Sequence, residues 1–200
     1  MQQMAPSLIK LFRSRPVARS SWLEGKGISR TKLQRSVERG DLVRVRRGVY
    51  SLPDESEVTE HHDLAVVAIS IPRGVICLLS ALRFHGLGTQ NPAEVWVAIH
   101  GKDRKPRIEY PPVRIVRFSG PALEHGVGTH KIEGVTVRVT SPARTVADCF
   151  KFRNKIGPDI ALEALCEYRR ARKSMDDLVQ AAEEVRVANV IRPYLEAMTT

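Results

Sequence analysis

Apolar positions in the first fifty residues form short clusters whose spacing shifts from helical to strand-like. Ser7 to Phe12 makes a brief amphipathic piece that ends before Pro16. Helical spacing resumes over Ala18–Lys26, anchored by Trp22 and Leu23, with Ser20 or Ser21 placed to cap it. Gly25-Lys26-Gly27-Ile28-Ser29 reads as a turn closed by a capping serine, and a second helix runs from Ser29 to about Arg39, stopped by Gly40. Leu42–Arg46 then alternates with period two, Arg46-Arg47-Gly48 turns, and Val49–Leu52 returns. Helix, turn, helix and β-hairpin, in that order, predict a winged helix-turn-helix. Pro53–Glu57 is polar and aperiodic, which sets a domain boundary between 1–55 and 56–200.

Beyond the boundary, Thr59–Ser70 predicts a helix with Leu64, Val67 and Ala68 as its apolar stripe, and an apolar run from Val75 to Leu87 follows. Three segments alternate as strands: Glu94–His100, Val113–Ser119 and Val135–Thr140. From Ser141 onward the pattern is helical. Ser141-Pro142 supplies an N-cap and first-turn proline, Gly157-Pro158 separates the next helix, and Ser174 with Asp177 forms a capping box. A last helix, Asn189–Met198, is interrupted near Pro193. The fold class expected is mixed α/β: the winged helix-turn-helix, then a C-terminal α+β domain with a small sheet and a helical C-terminal part.

Charge sharpens the division. Residues 1–52 hold twelve Lys or Arg against three acids (Glu24, Glu38, Asp41), nine of the chain's net +10. Cations confined to one small module imply a polyanionic partner. No run is long and apolar enough for a membrane-spanning helix, and the first residues lack the features of a secretory signal, so a cytoplasmic location is expected. Cys77, Cys149 and Cys166 are odd in number and sit among apolar residues, as free buried thiols in a reducing compartment would.

On the Ser29–Arg39 helix, Ile28, Leu33 and Val37 define the inward direction. The opposite face carries Thr31, Lys32, Gln34, Arg35, Glu38 and Arg39, a set suited to base edges in a major groove. Arg30, at the helix start, is placed to meet a phosphate. By the two-residue strand period, Val43 and Val45 share one face of the hairpin and Arg44 and Arg46 the other, with Arg47 at the tip. A wing built this way suits a phosphate backbone or a minor groove.

Candidate chemistry in the second domain is thin. His61-His62-Asp63 are consecutive, so their side chains diverge by about 100° on a helix and chelate poorly, leaving a polar, exposed helix start. His85 reads as a helix-end residue meeting terminal carbonyls. No metal or cofactor site is expected. A metal-dependent nuclease would need clustered carboxylates, for which Glu94 and Asp103 are the candidates, at opposite ends of one strand. Lys102, Arg104, Lys105 and Arg107 form a second dense basic run, either a further nucleic-acid surface or a solvated loop, with Arg114 and Arg117 on opposite sides of the next strand. Arg144 and Asp148, four residues apart, are spaced for an ion pair. A transcription factor with a ligand-sensing second domain is a third possibility left open by the residues.

The stretch Ser29-Arg-Thr-Lys-Leu-Gln-Arg-Ser-Val-Glu-Arg-Gly-Asp-Leu-Val-Arg-Val-Arg-Arg-Gly-Val-Tyr-Ser-Leu-Pro53 resembles the N-terminal winged helix of AbiEi-type antitoxins, which belong to bacterial type IV toxin–antitoxin systems linked to abortive phage infection. Leu79-Ser-Ala-Leu-Arg-Phe-His-Gly-Leu87 and Thr140-Ser-Pro-Ala-Arg-Thr-Val-Ala-Asp-Cys-Phe150, with Ala161-Leu-Glu-Ala-Leu165 downstream, are similar to that family's C-terminal domain. The resemblance implies a non-enzymatic autorepressor that binds double-stranded DNA at inverted repeats in its own promoter. It also implies a functional partner, a nucleotidyltransferase toxin, without requiring a stable complex between the two.

Overall fold

The computed structural model describes residues 8, 10–12, 15–53, 59–108 and 110–198, so the expected boundary at 54–57 and parts of the Ser7–Phe12 piece lie outside the described residues. Contacts divide the chain into two compact units. The first comprises Met1–Gly74, Arg104–Val113 and Thr129–Val137; the second comprises Val75–Asp103, Arg114–Gly128 and Arg138–Thr200. The expected division at residue 55 therefore falls inside the first unit.

The first unit contains β1 (Val17–Arg19), α1 (Ser20–Gly25), α2 (Arg30–Glu38), β2 (Val43–Arg46), β3 (Val49–Ser51) and α3 (His62–Ser70). Its sheet runs β1-β3-β2, with β3 antiparallel to both neighbours. β1 replaces the first turn of the helix expected from Ala18. Three residues are too few to show alternation, but Ala18 lies opposite Tyr50, and Val17 and Ala18 are fully buried. Tertiary pairing here overrides local helix preference. Ser20 consequently opens α1 rather than capping it, and its N–H donates to Gly48 O of the wing turn at 2.8 Å. Leu8, Phe12, Leu23, Ile28, Leu33 and Leu42 form the core beneath the helices.

α3 departs from the expected single stripe. Leu64 to Val67, Ile69 and Ser70 are all buried, so nearly every side of the helix is covered. Two arginines fasten the N-terminal segment within this unit: Arg19 donates through Nε and Nη2 to Ile69 O, and Arg15 donates to Gly134 O at 3.1 Å. Glu133 supplies a third tie. Its carboxylate accepts from Thr59 N at 2.9 Å and Thr59 Oγ1 at 3.0 Å, and lies 2.8 Å from His62 Nδ1. His62 is thus half-buried and engaged, not the exposed polar start expected of His61-His62-Asp63.

Burial pushes the Glu133 carboxyl upward, but the hydrogen bonds from His62 and Thr59 and the charge of His62 together bring it below the ordinary glutamate value. A depressed carboxyl stabilises the fold above its unfolded pKa and loses that contribution as pH falls through the folded one. Glu133→Gln is expected to cost about 1–2 kcal/mol at pH 7, because neutral amide bonds replace charge-assisted ones. Urea unfolding at pH 7 and at successively lower pH checks this: the deficit should shrink as acid protonates the folded carboxylate, and a deficit that stays constant throughout the acid range would refute the carboxylate's role.

The second unit is built around a five-stranded sheet in the order β6-β5-β4-β8-β7. Its strands are β4 (Val75–Ile76), β5 (Val95–His100), β6 (Val113–Phe118), β7 (Val127–Ile132) and β8 (Val135–Thr140), and Thr129–Val137 of the β7–β8 hairpin counts with the first unit. β4 pairs antiparallel with β5 and parallel with β8, where Ile76 faces Val139. β7 was not expected, because Val127–Ile132 holds Gly128, His130 and Lys131 and shows no apolar alternation. Helices follow: α4 (Leu78–His85) between β4 and β5, then α5 (Pro142–Lys151), α6 (Arg153–Ile156), α7 (Pro158–Arg170), α8 (Met175–Glu184) and α9 (Ala188–Ala197). Ser141 and Ser174 cap α5 and α8, accepting from Arg144 N and Asp177 N. Pro193 sits inside α9 without ending it. Leu82, Trp96, Val146, Phe150, Tyr168 and Leu178 are among the side chains of the main core.

Arg144 is the largest fully buried side chain of α5. Its Nε donates to Asp148 at 3.0 Å, as the spacing predicts, and its other nitrogens donate to His125 O at 2.7 Å and Ala122 O at 3.1 Å. Burial drives the Asp148 carboxyl up to about 6 despite the Arg144 charge. Cys77 and Cys149 are buried thiols, but Cys166 is exposed. α7 buries Ala161, Ala164, Leu165 and Tyr168, and Cys166 falls off that stripe.

Candidate nucleic-acid interface

α2 is built as its sequence indicates. Ser29 Oγ accepts from Lys32 N at 3.3 Å, capping the start. At the other end Gly40 takes φ +77°, a left-handed conformation that ends helices and suits glycine. Leu33 is fully buried and Val37 partly so, as expected, but Ser36 is buried as well. Its carbonyl accepts from Asp41 N and Leu42 N, and its hydroxyl accepts from Arg39, so this serine joins the helix end to the wing. Thr31, Gln34, Arg35, Glu38 and Arg39 are exposed, and Lys32 is half-exposed.

The wing differs from simple alternation. Register between β2 and β3 shifts between Arg44 and Arg46, a bulge that leaves Val45 as the extra residue. Val45 is buried while Val43 is 47% exposed, so the two valines do not share an inward face. Arg44 and Arg47 are both exposed. Gly48, at φ +77°, makes the turn that carries Arg47.

A groove of about 650 Å³ lies between α2 and the wing, lined by Arg30, Gln34, Glu38, Arg44, Arg47 and Tyr50 among others. The structure sorts the cations of the module. Arg30 donates to Glu24 at 2.6 Å, a bond from α2 back to α1, and that hydrogen bond and charge raise the Arg30 pKa further. Arg39 pairs with Asp41 at 2.8 Å. Gln34 donates to Glu38 at 3.1 Å. Arg15 and Lys26 flank the Trp22 ring, at 5.0 and 5.9 Å from its centroid. Of the described cations of α2 and the wing, Lys32, Arg35, Arg44 and Arg47 make no ion pair and stand available to a ligand.

Residues 6–53 match the family described as transcriptional regulator, AbiEi antitoxin. The N-terminal module is thus similar to the AbiEi antitoxin type of transcriptional regulator. The AbiEi match ends at Pro53 and so covers the helix-turn-helix and wing. No curated protein matches the chain. No helix among the described residues is long and apolar enough to cross a membrane.

Elsewhere the candidate residues have other occupations. Glu94 pairs with Arg114 at 2.7 Å, and Arg114 also stacks over Trp96. Arg117 donates to the carbonyls of Gly101 and Asp103, which shapes the chain after β5. Lys102, Arg104, Lys105 and Arg107 are exposed, with the division between units falling between Asp103 and Arg104. His85 Nε2 lies 2.7 Å from Thr140 O on β8, not at a carbonyl ending its own helix.

One constellation escaped sequence reasoning. Ser51, His62 and Glu133 line up as nucleophile, base and orienting acid would, with Ser51 Oγ 3.3 Å from His62 Nε2. Their separations in the chain gave no signal. Ser51 is only 3% exposed and its hydroxyl donates to Pro16 O, so the row is a structural lock between β3 and α3.

Proposed function

We propose that this chain is a DNA-binding transcriptional autorepressor and a non-enzymatic antitoxin of the cytoplasm, countering a nucleotidyltransferase-type toxin. One observation carries the DNA-binding part: Arg44 and Arg47 stand unpaired in a groove, and Lys32 and Arg35 unpaired on α2, of a module that matches an AbiEi regulator. On this reading α2 enters the major groove of double-stranded DNA, with Thr31, Lys32, Gln34 and Arg35 toward the bases. Arg44, Arg46 and Arg47 grip phosphate, while Arg30 and Arg39 reach it by exchanging their carboxylate partners. The functional division near residue 55 separates this reader from the part that acts against the toxin. The pairing of Glu94 with Arg114 speaks against a nuclease centre on Glu94 and Asp103.

Anisotropy titrations of the chain's own promoter test the reader. Arg35→Ala is expected to cost about 1–3 kcal/mol and to relax sequence preference, whereas Arg44→Ala weakens all duplexes alike. Unchanged affinity of Arg35→Ala for every promoter duplex would overturn the assignment of α2. Growth of cells expressing a neighbouring nucleotidyltransferase, with and without this chain, tests the antitoxin part; growth arrest unrelieved by the chain would reject it.

A further inference from the structure

The groove between α2 and the wing contains an acid that a purely phosphate-binding surface would exclude. Glu38 is exposed and shares the groove with Arg30, Arg44 and Arg47. The three acids of the basic module are not equivalent. Glu24 and Asp41 are neutralised by Arg30 and Arg39, but Glu38 accepts from the neutral Gln34 amide and makes no ion pair among the described residues. Its full negative charge thus faces the place where a polyanion would lie. Such a charge lowers affinity for backbone alone, and a repulsive element of this kind is how an interface rejects wrong partners.

The hydrogen bond from Gln34 Nε2 to Glu38 Oε1 also fixes the Gln34 amide, turning its carbonyl oxygen away from the carboxylate. We infer that the Gln34–Glu38 pair is a specificity element that selects a base carrying an exocyclic amino group, cytosine or adenine, in the major groove. Both outward groups, the Gln34 carbonyl and the second Glu38 oxygen, are acceptors. They match the amino donors of cytosine N4 or adenine N6, and they oppose the acceptors guanine O6 and thymine O4. The surrounding arginines supply the affinity and this pair supplies the rejection. The inference rests on the duplex reading proposed above.

The test uses the full chain and a pool of promoter duplexes randomised across the protected site, with bound and free fractions sequenced. The wild type should reject guanine and thymine about tenfold at one position per bound site. Glu38→Gln preserves size and a partner for Gln34 but removes the charge, so it should erase that rejection and tighten binding to unrelated duplex several-fold. Gln34→Ala should relax the same position. If Glu38→Gln keeps the wild-type preference at every position while Arg35→Ala changes it, the inference is wrong and the duplex reading stands. If Arg35→Ala also changes nothing, the duplex reading itself has failed.

Discussion

Arg144→Ala should destabilise the protein by about 3–5 kcal/mol, the range for removing one partner of a buried ion pair. The wild-type guanidinium meets the Asp148 carboxylate and the carbonyls of His125 and Ala122, and it lies over the Phe118 ring. Truncation strands the buried Asp148 carboxylate away from water and also removes a donor from the part-buried carbonyls of His125 and Ala122. Gly126 adds a packing reason: a Cβ there would stand 2.9 Å from Arg144 Cβ, so the arginine stem is already closely enclosed. Urea unfolding followed by circular dichroism reads the loss directly.

The same variant should show a characteristic pH dependence. Asp148 titrates at about 6 in the fold against an ordinary 3.8, so its proton binds more tightly to the folded state. Stability from that proton is complete below pH 4 and is lost as pH rises through about 6. Removing Arg144 removes the charge that restrains this upward shift, so the deficit of Arg144→Ala should be smaller at pH 4 than at pH 7. Arg144→Ala combined with Asp148→Asn should recover part of the loss at pH 7, because no buried charge is then stranded. A deficit under about 1 kcal/mol for Arg144→Ala at pH 7 would mean the pair is dispensable.

The second large effect concerns salt. On the proposed reading Arg44, Arg46 and Arg47, with the exchangeable Arg30 and Arg39, contact phosphate, and each such contact releases condensed counterions. A log–log slope of about −5 for duplex affinity is expected, so a fourfold rise in salt weakens binding about a thousandfold. Titrations of one promoter duplex between 50 and 200 mM salt measure it. Arg44→Ala should reduce the slope by about 1, as should Arg47→Ala. A slope near zero would show that the basic face is merely solvated and that the charge surplus of residues 1–52 serves another purpose.

Much of the reader was legible because its signals are local. Ser29 and Gly40 bracket α2, and Ser141, Pro142 and Ser174 place the later caps, each through bonds to residues a few positions away. What escaped depends on partners distant in sequence. β1 exists because Val17–Arg19 pairs with Val49–Ser51, and the bulge at Val45 reverses the side chosen for Val43. The bond from Arg30 to Glu24 spans two helices at a spacing of six residues, outside the intrahelical rule that does reveal Gln34 with Glu38. His62 was misplaced for the same reason, since its partner Glu133 lies 71 residues downstream. The outward face of α2 was therefore readable from the sequence, while the division of its charges into free and occupied ones was not.

The Glu133 and Gly134 contacts also bear on how the protein comes off the ribosome. Synthesis delivers the helix-turn-helix and wing first. Yet Arg15 waits for the carbonyl of Gly134, and Thr59 and His62 wait for the carboxylate of Glu133. A nascent chain that has released only its first 55 residues presents the basic face without these fastenings. On the reading proposed above, the reader acquires its finished form only once the β7–β8 turn has emerged, long after the wing itself has been made.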